Sequence, residues 1–275
     1  MSSTIETLSL ANELLSAYSS GSAIETPPSA RSTDFDLTSA YAVEAAFASQ
    51  RIAAGHRVVG LKVGFANKAA WRILKLETLA WAHMYDDTVQ YANWSSANFA
   101  LPPHCSLKIE PEIVFKLKDP VTTGVLDAAT VLQHVEWLAA GFEIIDCPFP
   151  AWKFAPADFI AAFGLHRGLV VGEPLIITPG MIPALVENLA SFKVKVSRDG
   201  ELIEEGSGKN SLRSPALCLA ELAGAILRQT GAVPLGAGDL VSSGTLTAGH
   251  PIAPGEVWHA EIDGLPVSNL TLRLA

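Results

Sequence analysis

The run Lys108-Ile109-Glu110-Pro111-Glu112-Ile113-Val114-Phe115 decides how this chain is read. Ile109, Pro111, Ile113, Phe115 and Leu117 fall on one side, and Glu110, Glu112, Val114 and Lys116 on the other, which is the period of a β-strand. At normal strand rise Glu110 and Glu112 have Cα atoms roughly 6–7 Å apart and point the same way, so both can reach one cation. Further on, Trp137-Leu138-Ala139-Ala140-Gly141-Phe142-Glu143-Ile144-Ile145-Asp146 carries Glu143 alone in apolar surroundings. An unpaired carboxylate there is costly. Glu110, Glu112 and Glu143 together predict a site for a hard divalent ion that prefers oxygen.

Working outward, residues 4–19 read as a helix with Ile5, Leu8, Leu10, Leu14 and Leu15 along one stripe. Residues 19–35 are rich in Ser, Pro and Gly and read as a loop. A second helix is expected from Thr38, as N-cap, to Ala54, with Tyr41, Ala45, Ala48 and Ile52 at helical spacing and Gly55 beyond its end. After Gly55 the pattern changes to short, glycine-punctuated strands, with expected segments at 58–65, 86–91, 107–118, 141–146, 168–172, 192–198, 201–204, 239–243, 257–263 and 266–273. Helices are expected at 67–76, 127–140 and 214–230, and a hairpin turn at Arg198-Asp199-Gly200-Glu201. The fold class expected is α+β and β-rich, with a small helical N-terminal part over 1–56 and a catalytic part over 57–275.

The chain has 275 residues, 49% hydrophobic and 17% charged, enough for a sizeable core. A net charge of −9 argues against a nucleic-acid or anionic-membrane surface, but not against a small anionic substrate. The three cysteines, Cys105, Cys147 and Cys218, are widely spaced and odd in number, which fits neither a disulfide framework nor a thiolate metal site. The opening Met1-Ser2-Ser3-Thr4 shows no signal-peptide pattern, and no apolar run approaches the roughly 18 residues of a membrane span. A soluble cytoplasmic protein is the expectation. His56, His83, His104, His134, His250 and His259 share no ligand spacing and read as surface or packing residues.

Gly60-Leu61-Lys62-Val63-Gly64, Tyr85-Asp86-Asp87, Glu110-Pro111-Glu112, Phe142-Glu143-Ile144-Ile145-Asp146, Gly206-Ser207-Gly208, Ser243-Gly244-Thr245-Leu246-Thr247 and Pro254-Gly255-Glu256 follow one another along nearly the whole chain. In this order the chain resembles the fumarylacetoacetate hydrolase superfamily, on its 2-keto-4-pentenoate hydratase and 4-oxalocrotonate decarboxylase branch. The resemblance implies a mixed β-roll that carries Mg²⁺ or Mn²⁺ on Glu110, Glu112 and Glu143. It places Lys62 at the edge of that metal, where the lysine offsets the excess negative charge and either orients a substrate carboxylate or moves protons once burial depresses its pKa. It places Asp87 near Lys62 as an acid–base group, and Ser243 and Thr245 on a loop closing over the substrate.

The implied activity is a lyase that hydrates a 2-hydroxydienoate or 2-oxoalkenoate, as in aromatic-compound catabolism. Decarboxylation of 2-oxo-3-hexenedioate, C–C hydrolysis of an acylpyruvate and a catalytically silent, metabolite-binding partner subunit are the alternatives. Homo-oligomerisation is expected by the same analogy. Ala162-Phe163-Gly164-Leu165-His166-Arg167-Gly168 and Cys147-Pro148-Phe149-Pro150 depart from the hydratase pattern. They make His166 and Arg167 candidates for contact with the substrate tail.

Overall fold

The computed structural model describes residues 4–124, 127–229 and 233–275. Its helices are α1 (Thr4–Ser20), α2 (Pro28–Arg31), α3 (Leu37–Ala53), α4 (Lys68–Leu74), α5 (Ala128–Leu132), α6 (Pro156–Ala161), α7 (Ile182–Ser191) and α8 (Pro215–Leu227). Its strands are β1 (Val58–Gly64), β2 (Ala80–Tyr85), β3 (Val89–Tyr91), β4 (Ser96–Phe99), β5 (Leu107–Leu117), β6 (Val135–Asp146), β7 (His166–Val171), β8 (Leu175–Ile176), β9 (Lys193–Arg198), β10 (Glu201–Ser207), β11 (Leu240–Ser242), β12 (His250–Pro251), β13 (Val257–Asp263) and β14 (Leu270–Leu274).

Among the described residues the strands form two mixed sheets. The larger runs β2-β1-β11-β5-β6-β7-β3, with β12 added to β5 and β8 to β6; the smaller runs β10-β9-β13-β14-β4. The long antiparallel pair β5–β6 is the spine of the larger sheet. It carries Glu110 opposite Glu143 and Glu112 opposite Gly141. On the far face of this pair Ile109, Ile113, Phe115, Phe142 and Ile144 are buried in the main core, beneath α8 and the smaller sheet. Gly60 lets β1 lie against β11: its φ is +153°, and a Cβ there would fall 1.9 Å from the Leu240 carbonyl oxygen. The hairpin at Asp199-Gly200 has both residues at positive φ, the backbone a tight two-residue turn between right-twisted strands requires.

The N-terminal helices share a second apolar cluster with residues of the larger sheet and α6. Leu14, Val43 and Phe47 pack there with Tyr85, Ile145 and Phe163. The Phe47 and Phe163 rings are stacked, 3.4 Å between centroids. The buried face of α3 is Ala40, Val43, Phe47 and Ala48, and Ile52 is exposed, so the face is rotated from the Tyr41–Ile52 stripe expected of the sequence. Alanine-rich helices fix their buried face through a few large side chains, here Phe47. The cap is Asp36, whose carboxylate accepts the Ser39 N–H at 2.8 Å, not Thr38.

The expected helix at 127–140 is overturned. Asp127 does cap a helix, but that helix stops at Leu132, and Val135–Asp146 is a strand paired with β5 along its length. The strands β2 and β4 were absent from the expectation, and residues 86–88 form the turn after β2. The ends of two expected segments, Met1–Ser3 and Thr230, lie outside the described residues, as does the side chain of Ile5. No helix among the described residues is long and apolar enough to cross a membrane.

Candidate metal centre

Register builds the site. Glu143 stands directly across the β5–β6 ladder from Glu110, and Glu112 is the next residue on that face. One carboxylate oxygen from each of the three lies within 4.8 Å of the other two. Glu112 and Glu143 are buried and Glu110 is half-buried. Like charges directly opposed on a ladder repel, and their burial adds to the cost.

The neighbours answer only part of that cost. The Ser242 hydroxyl donates to Glu112 Oε2, which also accepts the Gly244 N–H at 2.8 Å. Lys62 Nζ lies 3.0 Å from Glu143 Oε2 and donates to the Gly164 carbonyl at 2.9 Å. His166 Nδ1 donates to Glu143 Oε1 at 2.9 Å, and its Nε2 lies 2.9 Å from the Thr88 hydroxyl. Glu112 Oε1 accepts no hydrogen bond among the described residues, and Glu143 Oε2 has no contact beyond the Lys62 ammonium. Buried oxygens are seldom left this way.

The electrostatics follow. Burial pushes the Glu110 carboxyl up to about 7, with Glu143 adding to the rise and Lys62 opposing it. Burial, then the Glu143 charge, pushes Glu112 well above the usual carboxylate range. Burial would raise Glu143 too, but the Lys62 ammonium and the His166 hydrogen bond outweigh it and hold Glu143 below its ordinary value. For Lys62, burial favours the neutral amine, yet the Glu143, Glu110 and Glu112 carboxylates outweigh burial and raise its pKa. A depressed lysine pKa is therefore corrected: in the centre as it stands, Lys62 is an ammonium. Three hard oxygen donors, two of them with unsatisfied buried oxygens, fit a cation of the Mg²⁺ or Mn²⁺ kind.

The centre opens on a cavity of about 320 Å³. Lys62, Asn67, Lys108, Glu110, Asn210 and Thr245 give it polar atoms, and Phe65, Trp152, Phe154 and Phe159 give it aromatic walls. Larger grooves of about 580 and 940 Å³ run beside α1, but they hold none of these carboxylates.

Several other expected site residues are placed elsewhere. Asp87 is exposed, pairs with Arg51 and lies 3.5 Å from His56, so it is not in contact with Lys62. The Ser243 hydroxyl donates to the Ile113 carbonyl at 2.8 Å and is spent inside the fold. Its neighbours Ser242 and Gly244 face Glu112 instead. A β-bulge separates His166 from Arg167. The ladder pairs Ile144 with Gly168 and Ile145 with His166, leaving Arg167 as the extra residue. His166 thus turns to Glu143, while Arg167 donates to the Pro103 carbonyl and lies over the Tyr18 ring. Neither faces the cavity that holds Glu110 and Thr245. The sequence signalled Ser242 only as one of a Ser-Ser pair, and carried no signal for the Gly164 carbonyl or Thr88.

Residues 68–273 match the family model described as fumarylacetoacetate (FAA) hydrolase C-terminal. The 2-keto-4-pentenoate hydratase of Paraburkholderia xenovorans (strain LB400) is 28% identical over 232 residues, covering 84% of this chain and 82% of the relative. The 4-oxalocrotonate decarboxylase of Pseudomonas sp. (strain CF600) is 27% identical over 233 residues, covering 84% of each. The solved structure of 4-oxalocrotonate decarboxylase from Pseudomonas putida G7, complexed with magnesium and adipate, superposes with a TM-score of 0.88 at 22% identity, over 99% of this chain and 98% of that one. The chain belongs to the fumarylacetoacetate hydrolase family of enzymes.

Proposed function

We propose that the chain is a divalent-metal-dependent lyase that hydrates a small 2-hydroxydienoate or 2-oxoalkenoate acid. The observation that carries the reading is the meeting of the Glu110, Glu112 and Glu143 oxygens within 4.8 Å, beside a buried lysine and an open cavity. These three residues would hold Mg²⁺ or Mn²⁺, the choice between them being open. The similar decarboxylase of known structure is described with magnesium. When bound, the ion supplies Lewis acidity towards the 2-oxygen of a 2-oxo acid.

The protein's own groups do the rest. Lys62, fixed between Glu143 and the Gly164 carbonyl, offers N–H to the substrate's C1 carboxylate or C2 oxygen. The dienol loses its O2 proton and gains one at C5. Water then adds at C4, and a proton reaches C3, a transfer we assign to Lys62, which lines the cavity. His166 is a positioning residue: held between Thr88 and Glu143, it fixes the glutamate's orientation. Thr245 and the aromatic walls bound the substrate.

Loss of CO₂ from a 2-oxo-3-hexenedioate is the second reading, favoured by a second cationic side chain, Lys108, in the same cavity. C–C hydrolysis of an acylpyruvate needs a free base to activate water, and His166 is engaged on both ring nitrogens. A cytoplasmic homo-oligomer completes the proposal: Trp94 and Ile73, 88% and 80% exposed, offer apolar surface for a second copy to cover. The test is incubation of the Mg²⁺-loaded protein with 2-hydroxypenta-2,4-dienoate and with 2-oxohex-3-enedioate, reading products by mass. Gain of water supports the hydratase, loss of CO₂ the decarboxylase, and binding without turnover the silent partner subunit. Absence of both turnover and binding would sink the proposal.

A further inference from the structure

A second cavity, of about 350 Å³, lies between the end of α1, the turn before β3 and the segment after β4. Small-molecule sites run from roughly 300 to 1,000 Å³. Among the described residues it shares no lining side chain with the cavity of Lys62 and Glu110. Tyr18, Val89, Phe99 and Pro102 give it mostly apolar walls, and its one cationic side chain among the described residues is Arg167.

Arg167 is a charge that the mechanism above leaves unused. It is the extra residue of the β7 bulge and only 8% exposed. A guanidinium cannot shed its charge by deprotonation. This one makes no ion pair among the described residues. It donates to the Pro103 carbonyl at 2.8 Å, its Cζ lies 4.1 Å from the centre of the Tyr18 ring, and its Nε–H has no acceptor. A carbonyl and an aromatic face leave the net charge in place, and a buried charge without a counter-charge is costly. Asp87 lines the same cavity, but it is already paired with Arg51 and lies 3.5 Å from His56.

The lining also selects the kind of anion that answers Arg167. The Ser19 hydroxyl donates to the Leu15 carbonyl, the Thr88 hydroxyl to the Tyr85 carbonyl and the Gln90 amide to the Asn98 carbonyl. These donors are spent inside the fold. A phosphate wants more donors than one guanidinium, and its second negative charge would meet Asp87. A carboxylate matches the guanidinium fork with a single charge, and an apolar body behind it would cover Val89, Phe99 and Pro102.

We propose that this cavity is a second binding site, separate from the metal centre, which takes a small monocarboxylic acid with an apolar body on Arg167. The assignment goes beyond the lyase reaction and does not depend on it.

Benzoate is the probe, benzyl alcohol its uncharged match, and inorganic phosphate the anion without an apolar body. Each is titrated by calorimetry into the Mg²⁺-loaded full chain. Benzoate is expected to bind about tenfold to a hundredfold more tightly than benzyl alcohol, the range of a charge-assisted hydrogen bond. That advantage should vanish in Arg167→Met, which keeps a long side chain on Tyr18 and removes the charge. Ala100→Phe, at an exposed position of the cavity wall, should abolish benzoate binding with the guanidinium intact. Glu112→Gln, altered at the metal centre instead, should bind benzoate as the wild type does and phosphate about tenfold more weakly than benzoate. A wild-type chain that binds benzoate no better than benzyl alcohol overturns the proposal, as does benzoate binding undiminished in both Arg167→Met and Ala100→Phe. Loss of benzoate binding in Glu112→Gln overturns it too, by placing the acid on the metal centre. Phosphate bound there as tightly as benzoate overturns the class of ligand.

Discussion

Lys62 carries more than its charge. Buried and ionised, it is stable only because three carboxylates face it, and removing it leaves Glu143 without its counter-charge. Breaking a buried pair from one side costs about 3–5 kcal/mol. Lys62→Met should therefore lower the stability of the metal-free protein by that order, and lower kcat by roughly 10²–10⁴ with metal bound. Denaturant titration and steady-state kinetics check the two. Gly164 tests position without touching a functional side chain. Its φ is +62°, and a Cβ would come within 2.7 Å of Lys62 Cδ. Gly164→Ala should reduce kcat by pushing the ammonium aside while metal affinity is kept; unchanged kinetics would show that the Lys62 position is not exacting. At this scale the sequence was legible where alternation alone decided orientation, as at Glu110 and Glu112. It was opaque at Arg167, because a bulge shifts the period of two and nothing in the local residues announces it.

Elements explain the other misreadings. The stretch Ala128–Ala140 begins as a helix under its Asp127 cap, yet from Val135 onward it is strand, since only a strand can complete the ladder that β5 requires. Local propensity gave way to tertiary pairing. The Asp36 cap of α3 has its own consequence: Asp36→Ala should cost about 1 kcal/mol in thermal or denaturant unfolding. The same helix is tied to β2 through Glu44, whose Oε1 lies 2.7 Å from His83 Nδ1. Burial pushes the His83 pKa down, but the hydrogen bond to Glu44 and its charge outweigh burial, and the net shift is upward. A raised folded-state pKa means the pair contributes fully below the unfolded histidine value of about 6.5 and loses that contribution as pH rises through the folded value. Denaturant stability measured from pH 5 upward should show this decline, and His83→Gln should flatten it. An identical profile in the variant would assign the pH dependence elsewhere.

Across the whole molecule, residues far apart in sequence converge because one sheet is spliced from β1, β11, β5, β6 and β7. The family resemblance made that convergence legible in advance for the glutamates and Lys62. It could not supply the partners the sheet brings in late, Ser242 at the end of β11, Gly244 just beyond it and Thr88 from the turn before β3. A cation at the junction would relieve repulsion among groups from several elements, so it should stabilise the entire fold. At a hundredfold excess over its dissociation constant the gain is about 2.7 kcal/mol, which should raise the melting temperature by several degrees. Uptake should also strengthen as pH rises through about 7, where Glu110 gives up its proton. The most direct measurement is calorimetric titration of Mn²⁺ into the metal-free protein beside Glu112→Gln and Glu143→Gln. One ion bound per wild-type chain and none at the same concentrations in either variant is the expected result; a wild-type chain that binds no ion, or variants that bind it undiminished, would contradict the account.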